Sequence, residues 1–284
     1  MVKVCMAQYL AIKYPEVYWP IRINLEAHGI KVVSVNNTRN IWVRDYFPIQ
    51  IGTEYVRFQY AKDARYAQLD ISNEPWTGIV APIRESTLIV DGGNIVQGFG
   101  KVILTDMVIR KNGKKAVKKL EKIFEAEVII IPTEPGDTLG HSDGICKFVD
   151  KDTVLVNDYS EIRKKDSSYK GYQSSLEMAL AVHGLNVELF PNAYAEWDWE
   201  MSEKQFREIF PEADDYNPGF GYYINFLKIN NLILLPAMKI KKDREALKAV
   251  NTFYRGSNVV MVDCSRLSME GGLVGCVTVD YAAH

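Results

Sequence analysis

The 284-residue sequence predicts an α/β protein: five strand–turn–strand–helix–strand units set around an axis as a propeller-like ring. Three observations carry this. One order of elements recurs along the chain. The two chain ends each supply part of a unit that becomes whole if the last strand pairs with the first. The composition, 47% hydrophobic and 25% charged, runs on without a linker or a low-complexity stretch, which suits one domain over residues 1–284. A solenoid would instead leave the C-terminal strand as an exposed apolar edge.

At the N-terminus, residues 2–8 read as a short apolar strand. Residues 16–28 read as a helix closed by Gly29, and 30–35 as the next strand. Residues 41–90 are the least regular unit, with strands near 48–51, 55–59 and 87–90 and a poor helix between. The third unit has strands near 95–97 and 101–105, a helix over 111–124 and a strand over 127–131. The fourth has strands over 145–149 and 153–157, a helix over 169–183 and a strand over 186–190. The fifth has strands over 222–229 and 232–236, a helix over 242–254 and a strand over 258–262. The hairpin turns Gly98-Phe99-Gly100, Asp150-Lys151-Asp152 and Asn230-Asn231 have turn chemistry. Residues 273–280, behind Gly271-Gly272, read as the strand that closes the ring. The stretch 196–215 stands apart: eight acidic residues against two basic, with Trp197, Trp199 and Phe206 interleaved. It fits an excursion over one face, a lid.

A net charge of −2 offers no basic surface for nucleic acid or membrane. The one basic run, Arg110 to Lys122, reads as the solvated face of a helix. None of the four cysteines forms a C-x-x-C pair, no zinc site is spaced out, and no leader or membrane span is visible. A soluble cytosolic protein with free thiols is expected, with Cys5, Cys146 and Cys264 in the core. The oligomeric state stays open, a homodimer included.

Four sharp turns carry chemistry: Trp42-Val43-Arg44-Asp45, Asp91-Gly92-Gly93-Asn94, Gly140-His141-Ser142-Asp143 and Gly271-Gly272 to Cys276. A thiolate is a strong nucleophile when a base or cation is near, and a histidine can move the protons. Several carboxylates beside such a pair suit a planar cation, because a guanidinium accepts bidentate carboxylates.

These turns, with Tyr223-Ile224-Asn225-Phe226, resemble the agmatine deiminase and bacterial peptidylarginine deiminase family, in order and over nearly the whole chain. That family lies in the guanidino-modifying pentein superfamily, whose fold is a five-bladed ββαβ ring, an α/β-propeller. The resemblance implies Cys276 as nucleophile, His141 as general acid/base and Asp91 as the group orienting the histidine. It implies Asp45 and Asp143 as the carboxylates gripping the guanidinium. Asn225 shapes the pocket, and Trp42 covers the guanidinium face. Arg44 is expected to be structural, and His28, His183 and His284 uninvolved.

Two positions differ from the family pattern. Asp91 stands where Glu is usual, and Gly275 where agmatine deiminases usually have His. The implied reaction turns agmatine, arginine or peptidyl-arginine into a ureido compound and ammonia through a cysteine-bound thiouronium, with no metal or organic cofactor. The implied partner is thus a small cationic guanidino substrate or an arginine-containing peptide. An amidinotransferase sharing the intermediate, and a non-catalytic pentein, are the other readings. Cys276, His141, Asp45 and Asp143 together weigh against the last.

Overall fold

A computed structural model describes residues 2–36, 38–60, 78–197, 202, 204–205, 208 and 219–282. The described strands form five three-stranded sheets of one design: an antiparallel pair extended by a parallel third strand. A parallel neighbour needs a crossover; helices occupy four of them, and the one between Gln59 and Ile83 lies largely outside the described residues. The chain divides into two compact units.

The first unit comprises Met1–Val43, Lys62–Glu74 and Pro191–His284. In it, Val2–Ala7 pairs antiparallel with the last strand, Val279–Ala282, and parallel with Lys31–Val35. The predicted pairing of the C-terminal strand with the N-terminal one is therefore present. Helix Pro15–Ala27 makes the crossover, with proline at its start, where a missing N–H costs nothing. It buries Val17, Tyr18, Ile21 and Leu25 on one stripe. It ends as the sequence predicts: Gly29 takes φ 71°, and the Gly29 and Ile30 amides donate back to Glu26 and Leu25. The unit's other sheet sets Leu232–Ala237 between Leu227–Ile229 and Asn258–Asp263, with helix Lys242–Phe253 as crossover.

The second unit comprises Arg44–Ala61 and Pro75–Phe190 and holds three sheets. Their central strands are Glu54–Gln59, Lys101–Thr105 and Thr153–Asn157. Its core includes Ile49, Leu88, Val102, Leu104, Leu120 and Phe124. Burying each such side chain contributes about 1.5–3 kcal/mol.

Four predicted elements are corrected. The helix expected over 111–124 is two, Met107–Asn112 and Ala116–Phe124, broken where Gly113 takes φ 78°. The strand expected over 222–229 begins at Leu227, and Tyr222–Phe226 is a turn. The strand expected over 273–280 is confined to Val279–Ala282, so Cys276 lies in a turn. The helix expected over 169–183 is shorter, Tyr172–Ala181. Most of the proposed lid, including Trp199 and Phe206, and also His284, lie outside the described residues.

All four cysteines are free, with Cys5, Cys146 and Cys264 buried as expected. Among the described residues no helix is long and apolar enough to cross a membrane.

Candidate active site

In the second unit the predicted acid/base group is assembled from three turns. Asp45 sits on the short helix Val43–Tyr46. Asp91 precedes the single helical turn Gly92–Asn94, and His141 precedes the similar turn Ser142–Gly144, which carries Asp143. These turns pack closely because of their glycines. A methyl group on Gly92 would collide with the carbonyl of Arg44. One on Gly93 would lie 2.5 Å from His141 Nδ1 and 2.7 Å from Asp45 Oδ1. The Gly93 amide donates to that same Asp45 oxygen at 3.0 Å. The paired glycines therefore bring backbone against the functional groups, a use that does not depend on left-handed φ.

The histidine loop is fixed from behind. Thr105 Oγ1 donates to the Gly140 carbonyl at 2.6 Å, and the Thr105 amide donates to Asn94 Oδ1 at 2.8 Å. Ser142 Oγ donates to the Ile103 carbonyl at 3.1 Å. The His141 amide donates to Asp137 Oδ2 at 3.2 Å. Gly140 takes φ 73°, and a side chain there would press on Met107.

His141 lies between two carboxylates. Its Nδ1 is 3.7 Å from Asp45 Oδ1, and its Nε2 is 3.6 Å from Asp91 Oδ2. Burial disfavours the imidazolium, but the charges of Asp45, Asp91 and Asp143 outweigh it and push the pKa up to about 10. His141 is thus a proton donor at neutral pH. Burial also raises Asp45, to about 6: His141 works against that rise, Asp91 and Asp143 add to it, and the Gly93 amide opposes it. A fifth charged group completes the cluster. Lys111 Nζ lies 2.9 Å from Asp91 Oδ2, whose side chain is only 2% exposed. With His141 protonated, the described contacts set Asp45, Asp91 and Asp143 against the imidazolium and the Lys111 ammonium, a carboxylate-rich surrounding that suits a cationic substrate.

In the first unit the nucleophile candidate is held by Asn225. Asn225 Oδ1 accepts the Cys276 amide at 3.2 Å and lies 3.5 Å from Cys276 Sγ. Its main-chain carbonyl accepts the Gly275 amide at 3.0 Å. A side chain at Gly275 would press into Asn225, with its Cβ 2.7 Å from Oδ1. Glycine at 275 lets the Asn225 amide pack against the backbone next to Cys276. The Cys276 and Val277 amides both turn back to the Leu273 carbonyl, a turn bond pattern that a strand cannot make.

Upstream, Gly271 takes φ 87°, and Gly272 lies against the Trp42 ring, leaving no room for a side chain. Glu270 is buried and ion-paired with Lys13 at 2.6 Å, and it accepts a short hydrogen bond from Tyr14. That anchors the glycine turn to the N-terminal helices of its own unit. Asp243 accepts from Tyr223 Oη at 2.6 Å and so anchors the Asn225 turn.

The structure thus brings Asp45, Asp91, His141 and Asp143 together in one unit. In the other it brings Cys276 to Asn225, and Trp42 to the glycine turn before the cysteine. Sequence reading missed Lys111, Thr105, Asp137, Glu270 and Asp243. Lys111 had been assigned to a solvated helix face, and its contact with a buried carboxylate corrects that. The others are polar residues whose partners are remote in sequence, and no local pattern marks them. His28 and His183 stand apart, paired with Asn258 and Glu127.

Residues 7–281 match the family model described as Porphyromonas-type peptidyl-arginine deiminase. The chain is 25% identical over 303 residues to the agmatine deiminase of Medicago truncatula, covering 92% of this chain and 80% of that protein. Its fold is similar to that of the C. jejuni agmatine deiminase, with a TM-score of 0.68 at 17% identity, covering 99% of this chain and 96% of the other. The agmatine deiminase of Enterococcus faecalis gives a TM-score of 0.71 at 19% identity, covering 98% and 92%.

Proposed function

The chain belongs to the Porphyromonas-type peptidyl-arginine deiminase family, and from that premise we propose that it hydrolyses a guanidino group to a ureido product and ammonia. The observation that carries this is the set of three carboxylates, Asp45, Asp91 and Asp143, acting on His141. An ester or amide hydrolase with a Cys–His pair has no use for three carboxylates, whereas a guanidinium does. The substrate class is agmatine, arginine or an arginine-containing peptide, and the relatives named above favour agmatine.

In this reading Asp45 and Asp143 hold the terminal nitrogens, which fixes the central carbon for attack. Trp42 covers the face of the cation. Cys276 gives its thiol proton to solvent as the cation binds, and the thiolate sulfur forms a bond to that carbon. One carbon–nitrogen bond breaks, and ammonia leaves with the proton given by His141. Water, deprotonated by His141, then adds to the carbon and expels the sulfur, which leaves the ureido product and a free Cys276. Asn225 holds the cysteine turn in place, and Asp91 orients His141. Cys276 and His141 thereby serve one bound guanidinium. We propose equally that the five sheets are blades of one closed pentein ring, making residues 1–284 one catalytic domain, and that the protein works in the cytoplasm. Pairing of the first and last strands supports the ring.

The test is an assay of ureido product and ammonia with agmatine, free arginine and an arginine peptide, across pH. At least one should turn over. The acid side of kcat/KM follows Asp45, which grips the cation only when ionised and carries a pKa pushed up to about 6. As pH falls below that value, kcat/KM should drop about tenfold per unit. Absence of ureido product from all three, with or without an amine acceptor, would sink the reading. A flat profile down to pH 4.5 would remove Asp45 from the grip.

A further inference from the structure

Resting on the deiminase reading, we propose that Lys111 is a positioning residue for the reaction: its ammonium holds Asp91 in place beside His141. The helix Met107–Asn112 that carries it is clamped at its end. Asn112 Oδ1 accepts the Ile89 amide at 2.8 Å, and Asn112 Nδ2 donates to the Ile89 carbonyl at 2.8 Å. The same Nδ2 donates to the Val108 carbonyl at 3.0 Å. This two-way clamp fixes the last turn of the helix to the strand that ends two residues before Asp91. Lys111, next to Asn112, then reaches Asp91 Oδ2 at 2.9 Å, with its own side chain 22% exposed.

That oxygen is also the one 3.6 Å from His141 Nε2. One carboxylate oxygen is therefore shared by two cations. An aspartate is one methylene shorter than a glutamate, so it reaches less far toward the imidazole. The lysine supplies a second contact on that oxygen, which keeps the short carboxylate aligned. Its neighbour Arg110 pairs with Asp106 instead, at 2.8 Å. The charges acting on the His141 imidazole include Asp45 from the short helix Val43–Tyr46, Asp91 and Asp143, while Asp137 accepts the His141 main-chain amide. Lys111 brings a cation to this group through Asp91.

Removing a cation from a buried carboxylate favours the protonated form. Lys111→Met should therefore let Asp91 take up a proton at higher pH, and His141 would lose its orienting charge. The expected results are a fall in kcat of about tenfold with KM changed less than about twofold, while the acid limb of kcat/KM set by Asp45 does not move up. Lys111→Arg, which keeps the cation, should restore most of kcat.

A second measurement does not need turnover. In the Cys276→Ser background, carboxyl NMR of labelled aspartate, assigned with Asp91→Asn, follows the Asp91 midpoint directly. Lys111→Met should raise it by about one unit and Lys111→Arg should not. Unchanged midpoint and unchanged kcat would overturn the proposal, as would a moved midpoint with wild-type kcat. If wild-type protein makes no ureido product, the deiminase reading fails. In that case the Asp91 midpoint still decides whether Lys111 holds this carboxylate.

Discussion

Cys276→Ser should reduce ureido product formation roughly 10⁴-fold or more while leaving the fold intact. A serine hydroxyl can accept the same place beside Asn225 Oδ1, 3.5 Å from the present sulfur, so the turn has no reason to rearrange. The backbone bonds that shape it, from the Cys276 amide to Asn225 Oδ1 and to the Leu273 carbonyl, do not involve the side chain. What is lost is nucleophilicity. An alcohol ionises far less readily than a thiol, and His141, kept protonated by its carboxylates, is poorly placed to deprotonate it. A melting temperature within about 2 °C of wild type, with activity absent, is the expected pair of results. Retained activity would dismiss Cys276 as the nucleophile.

Gly93→Ala should lower kcat/KM about 10²-fold. The added methyl would lie 2.5 Å from His141 Nδ1 and 2.7 Å from Asp45 Oδ1. No relaxed structure accommodates both distances, so the imidazole, the carboxylate or the Gly93 turn must shift. Each shift falls on a group the proposed reaction uses. The Gly93 amide also anchors Asp45 at 3.0 Å, and moving the turn weakens that anchor. The loss should appear in both kcat and KM, because His141 and Asp45 have different tasks. Gly78→Ala is the control in the same unit: nothing lies within 4 Å of its added methyl, and activity should stay within about twofold of wild type. Wild-type kinetics for Gly93→Ala would mean that the contact between the turns is dispensable.

The repeated order of elements was legible because each unit must bury a sheet face under a helix, and that writes strand and helix periods in turn. Helix Pro15–Ala27 is read from proline at its start, a buried stripe and Gly29 at its end. The turns at Asp45, Asp91 and His141 were legible because acids, glycines and a histidine crowd after strands. The turn at Cys276 was misread as strand because Leu273, Val274 and Val277 are apolar. They are 1%, 0% and 0% exposed, so burial in a compact turn demands the same residue types as a strand does. The glycines beside them were the signal: Gly272 under Trp42 and Gly275 under Asn225 let the chain fold on itself. Lys111 was not legible. It sits in a run of basic residues that looks solvated, and only the clamp of Asn112 onto Ile89 turns it toward Asp91. Such a contact depends on where a helix end docks, and composition does not encode that.

In the proposed reaction Cys276 becomes covalently bonded to the guanidinium carbon of a substrate gripped by the carboxylates around His141. Rapid acid quench of wild-type protein with agmatine in a single turnover, followed by peptide mass analysis, would trap that bond. A thiouronium adduct should rise and decay on the Cys276 peptide, with Cys5, Cys146 and Cys264 unmodified, and should be absent from Cys276→Ser. Ureido product forming while Cys276 stays unmodified at every time point, or forming equally well in Cys276→Ser, would contradict it.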